Sequence, residues 1–181
     1  PLRTIPLRLP GALRLHPART VRLRLTTVLV LVLALLAAAA RAQQPLLELS
    51  SYPQGTLEIL GADGGRHRFR VWIADTPARQ MQGLMFVRDL PAEQGMLFVH
   101  REPRVASMWM KNTFIPLDML FIDARGRIVS IAENTTPHSL ETISAGRPVT
   151  AVLELRGGEA ARRGIRPGDR VRHGHFRLGE G

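Results

Sequence analysis

Beyond residue 50 the chain is broken every few residues by Gly, Pro or Asn, and this punctuation constrains the fold more than any other feature. The apolar runs left between the breaks have the length of single strands, not of multi-turn helices. From His67 the residues alternate, with Phe69, Val71 and Ile73 on one face and Arg68, Arg70 and Trp72 on the other. That period of two predicts a strand with one wet side. The runs 117–123 and 127–133 flank Asp123-Ala124-Arg125-Gly126, which predicts a hairpin. Further strands are expected at 57–60, 95–100, 105–110, 149–155 and 170–178. Asp75-Thr76-Pro77 is a cap followed by proline in a first helical turn. The helix it opens stops at Gly83 and should turn Met81, Leu84 and Met85 toward the sheet. A second short helix is expected at 159–163, between Gly157-Gly158 and Gly164. About seven short strands with two short helices, and no β–α–β alternation, predict a mostly β fold: a single compact β-barrel or sandwich over residues 57–181. Residues 43–56 read as an extended segment leading into it.

The N-terminal region has a different character. Residues 26–40 are apolar and uncharged, follow Arg22 and Arg24, and precede Ala40-Arg41-Ala42, a small-x-small site before Gln43. These parts predict a secretory signal peptide over residues 1–42. A membrane-spanning helix needs about 20 apolar residues. The expectation is therefore cleavage near Ala42-Gln43 and release into a periplasm or beyond, the alternative being an inner-membrane anchor formed by residues 26–40. Residues 1–20, which begin at Pro1, show no pattern beyond Arg, Leu and Pro and suggest an over-extended start, with Val21 opening a normal basic region. Recovery of any peptide from residues 1–20 of the expressed protein would refute that reading.

The leader also accounts for the charge. The net charge is +10, but seven arginines and no acids lie in residues 1–42, so the remainder carries eighteen basic and fifteen acidic residues. A nucleic-acid footprint needs a concentrated basic patch, and no nucleic-acid partner is expected. Membrane contact is expected only through an uncleaved leader. The chain has no cysteine, which excludes disulfides, thiolate metal sites, Cys nucleophiles and a lipidated Cys anchor. Gly-x-Ser-x-Gly, a Gly-rich phosphate loop and His-Glu-x-x-His are also missing.

The densest chemistry lies between residues 108 and 123. All six methionines fall between positions 81 and 119, and Met108 and Met110 flank Trp109. On a strand these two thioethers would share a face. Soft thioethers select Cu(I) or Ag(I), an indole can add cation–π attraction, and His100 would supply a nitrogen ligand. The competing reading is core filling, for which Met is well suited. Lys111, Asn112 and Asp118 bracket Thr113-Phe114-Ile115-Pro116; Lys111 is the only lysine beside 24 arginines, which hints at a need for a compact point charge. Together they could position an anion and move a proton, or simply build a turn. Arg79 stands either as an anion ligand or as an i,i+4 ion pair with Asp75. Glu133, Asn134 and His138 form a polar loop in which Glu133 is a second acid–base candidate. His173 and His175 alternate on the last predicted strand and are expected to face solvent.

Several of these residues also carry a family resemblance. Ala74-Asp75-Thr76-Pro77 with Arg79, Gly83-Leu84-Met85-Phe86 and Gly95-Met96-Leu97-Phe98 are followed by Met108-Trp109-Met110-Lys111-Asn112-Thr113 and Ile115-Pro116-Leu117-Asp118. With Val152-Leu153-Glu154-Leu155, Gly157, Gly164-Ile165 and Gly168-Asp169 downstream, the chain resembles domain of unknown function family 192. The resemblance implies a compact, mostly β, often exported domain and leaves the chemistry open. Residues and resemblance together point to a binding module of the cell envelope, with Arg79, Trp109, Lys111, Asn112 and Asp118 facing a small ligand or an envelope protein and no cofactor. The alternatives are an envelope-acting enzyme using Asp118 and Glu133, or a periplasmic Cu(I)/Ag(I) protein using Met108, Met110 and His100.

Overall fold

The computed structural model describes residues 46–176. The leader, its cleavage site, residues 43–45 and the end of the predicted last strand lie outside the described residues. The strands are β1 (Gln54–Leu60), β2 (Arg66–Ala74), β3 (Gln94–Arg104), β4 (Leu117–Ile122), β5 (Ile128–Ala132), β6 (Val149–Arg156) and β7 (Arg170–Arg172). The helices are α1 (Pro77–Gln82) and α2 (Glu159–Arg163), and a 3-10 turn (Leu49–Ser51) precedes β1. One sheet holds all seven strands in the order β5-β4-β6-β3-β2-β1-β7. It curls until its two edges meet at one end, where Val171 N–H donates to Gly126 (2.7 Å) and Ile128 N–H to Asp169 (2.9 Å). The expected mostly β domain of seven strands and two short helices is therefore present, built as a curled single sheet.

The strand pattern departs from the sequence reading in two places between β2 and β4. β2 and β3 pair in parallel, so the chain from β2 through α1 to β3 is a β–α–β unit. Alternation was not legible there because α1 is only six residues long and most of the crossover is irregular. Residues 105–110 form no strand. Met108 makes a single bridge to Ile143, and β3 instead runs on through a bulge to Arg104.

The curl separates two apolar clusters. One contains Leu57, Phe69, Leu97, Leu120, Leu153 and Phe176. The other contains Tyr52, Met96, Phe98, Met110, Met119 and Val152. Central strands alternate between them, as Leu97 and Leu153 against Met96 and Val152 show. Burial on both faces explains why β4 and β6 are apolar at most positions rather than at alternate ones. At about 25 cal/mol per Å² of apolar surface removed from water, these clusters hold the fold. Core packing thus takes Met96, Met110 and Met119, all fully buried. Met81 departs from the predicted inward face of α1: it is 66% exposed while Leu84 is buried, because α1 ends at Gly83 before a second turn can carry the stripe.

Candidate functional site

Among the described residues, only three buried side-chain N or O atoms lack a hydrogen-bond partner: His100 Nε2, Thr150 Oγ1 and Glu154 Oε2. Such atoms are uncommon in native proteins and call for an explanation. Glu154 stands in the middle of β6, opposite Met96 on β3 and Met119 on β4. Directly opposed residues share a face, so the carboxyl sits among thioethers and aliphatic groups. Burial pushes its pKa up to about 8, because a charged carboxylate in that setting has lost its water. At neutral pH the group is mostly the neutral acid, able both to donate and to accept a hydrogen bond.

Glu154 forms part of a cleft of about 50 Å³ that is also lined by Met81, Met85, Met108, Trp109 and Lys111. Local structure holds these walls in place. Thr76 Oγ1 caps α1 by accepting from Arg79 N–H (3.3 Å), with Pro77 in the first turn. Gly83 closes the helix at φ 51°, where a Cβ would stand 2.9 Å from the Phe98 ring. On the facing wall the chain turns at Asn112, whose φ is 56° and whose carbonyl accepts from Phe86 N–H (2.9 Å). Phe86 and His138 also have positive φ, and both rings pack on Phe114, with centroids 5.9 and 5.2 Å away. Bulky residues held in this region cost of order 1–3 kcal/mol each and persist only where packing over-determines them. Trp109 is 44% exposed at the mouth, and Lys111 Nζ lies 5.3 Å from its ring centroid.

The residues singled out from sequence do not gather at one place. Trp109 and Lys111 reach the cleft, joined by Met108 and bounded by the Asn112 turn, whose amide lies 4.0 Å from Met85 Sδ. Arg79 and Asp118 are engaged elsewhere. Arg79 pairs with Asp75 at 2.6 Å, donates to the Ser51 carbonyl and stacks on Tyr52. Asp118 is fully buried: one oxygen accepts from Asn134 N–H (2.7 Å) and Gly158 N–H (3.0 Å), the other from Ala160 N–H (2.8 Å). It fastens the end of β5 and the start of α2 to β4. Glu133 is exposed on the loop beyond β5. Met110 does not share a surface with Met108, since it is buried and its sulfur accepts from Thr135 Oγ1 at 3.1 Å. His100 lies in a different cleft, with His175. His173 and His175 are half-buried rather than wet, in a turn closed by Phe176 N–H to the His173 carbonyl.

Sequence reasoning passed over Glu154 as a site residue. The one signal was a carboxylate inside Val149–Arg156, a strand that is buried at every other residue but its last. On a half-wet strand the same residue would simply face water.

Comparison with known proteins sets this geometry in a family. No curated protein matches the chain. Solved structures similar to it include those of two proteins. One, from Sinorhizobium meliloti 1021, is a protein whose name proposes a transcription regulator; it is 43% identical, with a TM-score of 0.68 over 70% of this chain and 98% of that one. The other, a protein of unknown function from Novosphingobium aromaticivorans DSM 12444, is 42% identical, with a TM-score of 0.67 over 75% and 96%. The profile of DUF192, described as "Uncharacterized ACR", matches residues 59–173, and the chain belongs to that family.

Proposed function

We propose that the protein is a binding module of the bacterial envelope whose site is the cleft over Glu154. The observation that carries this reading is the buried carboxyl of Glu154, which has an unpartnered oxygen and belongs to the lining of a cleft shared with an indole and an ammonium. Such a group destabilises the fold, a cost that a ligand completing its hydrogen bonds would relieve. The cleft has room for one functional group, not a whole sugar. The ligand is therefore an envelope glycan or protein that inserts one polar group toward Glu154, lays an apolar face on Trp109 and meets Lys111 with an anionic or carbonyl oxygen. The basic, apolar leader supports export, with cleavage near Ala42-Gln43 or retention through residues 26–40. The balanced charge of the remaining chain argues against nucleic acid.

A second reading rests on a specific observation. Met81, Met85 and Met108 line the cleft together with Glu154, a donor set suited to Cu(I) or Ag(I). It replaces the Met108, Met110 and His100 set. The enzyme reading has no comparable support, because both Asp118 oxygens are bound to backbone N–H groups and Glu133 is exposed.

A thermal-shift screen against envelope glycans, Ag(I) and Cu(I) separates these readings, since a ligand that binds only the folded state raises the melting point. A glycan shift lost in Trp109→Ala and Glu154→Gln supports the first. An Ag(I) or Cu(I) shift lost in Met108→Ala supports the second. Shifts that survive Glu154→Gln unchanged would remove the cleft from both.

A further inference from the structure

The other two unpartnered atoms belong to residues that line a second cleft, reached at Thr150, four residues along β6 from Glu154. It encloses about 310 Å³ and is lined by His100, Arg101, Glu102, Thr150 and His175, with Ala124 of the β4–β5 turn. His100 and Thr150, 7% and 8% exposed, both line this cavity, and each carries a buried polar atom without a partner, Nε2 and Oγ1. His175 is already committed. Its Nε2 lies 3.1 Å from the Thr150 carbonyl, an acceptor only, so that nitrogen carries the proton and donates. The carbonyl of Thr150 is thereby used, and its hydroxyl is left over.

We propose that this cleft binds a small oxyanion, a phosphate or carboxylate group, held by the Thr150 hydroxyl, His100 Nε2 and the Arg101 guanidinium. The sign of the ligand follows from the charges. Arg101 and exposed Glu102 offset each other in the lining, and Arg104, outside the lining but near enough for its charge to bear on His100, adds positive charge beside it. Metal is the rival occupant of a cavity with two imidazoles and a carboxylate. Among the described residues, however, no three His, Asp or Glu side chains are placed to share an ion. The state of His100 agrees with an anion. Burial first, then Arg104 and His175, lower its pKa to about 4, so the ring is neutral in the empty cleft. An anion oxygen beside it would offset each of those causes and make the imidazole a charge-assisted donor.

The test is an NMR titration of the whole protein with sodium phosphate, sodium sulfate or sodium acetate at one pH, against sodium chloride of equal ionic strength. The His100 ring signals are expected to move and saturate with phosphate or sulfate if the site takes tetrahedral anions, and with acetate if it takes carboxylates. Thr150→Val, which keeps the shape and removes only the hydroxyl, and Arg101→Ala, at an exposed position, should each weaken binding about tenfold, the loss expected for one hydrogen bond to a charged group. His100 signals that follow only ionic strength would overturn the proposal. So would saturation at unchanged concentrations in both variants.

Discussion

Asp118 and Glu154 are both buried acidic residues, and their surroundings give them opposite roles. Asp118 receives three backbone N–H bonds; it resolves the donors at the start of α2, which a helix end otherwise leaves unpaired. Glu154 has one oxygen with no partner. Asp118→Asn keeps the size but removes the charge and turns an N–H₂ group toward donors. It should cost about 2–4 kcal/mol in urea denaturation, from weakened charged hydrogen bonds and buried N–H groups left unmatched. Ligand binding per folded molecule should be retained; its loss would place Asp118 in the site after all. The two acids also show what was legible in residues alone. Asp118 stood out because it interrupts an apolar strand beside Trp109 and Lys111, but its partners come from residues 16 to 42 positions away and could not be read locally. Glu154 was quoted only as part of a family pattern. Its burial depends on β6 lying between β3 and β4, a matter of strand order.

At the scale of elements, patterning carried far. The strand faces of β2, the hairpin of β4 and β5, and both short helices follow from period-two alternation, a Gly-containing turn and the Thr76-Pro77 cap. Three features were not legible: the parallel β2–β3 pair, the bridge that replaces a strand at Met108, and the turn at residues 173–176. In each, long-range hydrogen bonding overrides local preference. The α1–β3 junction carries a prediction of its own. Gly83 adopts φ 51° and ψ −135°, a conformation open chiefly to glycine, and has the Phe98 ring against the place of a Cβ. Gly83→Ala should therefore cost about 1–3 kcal/mol of stability. Since Gly83 and Phe98 both line the Glu154 cleft, the same variant should weaken ligand binding. Unchanged stability in denaturant would show that the backbone relaxes, and would remove Gly83 as a determinant of the cleft.

For the whole molecule, the two clefts impose opposite dependences of stability on pH. His100 has a folded pKa of about 4 against an ordinary 6.5. Between those values the unfolded chain binds more protons, so stability is lost as pH falls from 6.5 toward 4. Glu154 has a folded pKa of about 8 against 4.5. Here the folded state holds the extra proton, so stability is lost as pH rises from 4.5 toward 8. The two effects oppose each other between pH 4.5 and 6.5. His173, lowered mainly by burial, joins His100 below 6.5, and Glu159, lowered first by its hydrogen bond from Arg162, adds a loss below 4.5. Of these four groups, Glu154 alone acts between pH 6.5 and 8. Across that window the wild-type protein should lose about 1–2 kcal/mol, given a limiting slope of about 1.4 kcal/mol per pH unit for one proton. Glu154→Gln, which cannot ionise, should be nearly flat there and more stable than wild type at pH 8. Urea melts of both proteins at pH 6.5, 7.2 and 8 measure this directly. Parallel curves would mean that Glu154 ionises at no cost in the folded state, and the unpartnered carboxyl on which the binding reading rests would lose its force. Diverging curves would show that the fold carries a destabilising acid at its centre, a burden that binding at the cleft would relieve.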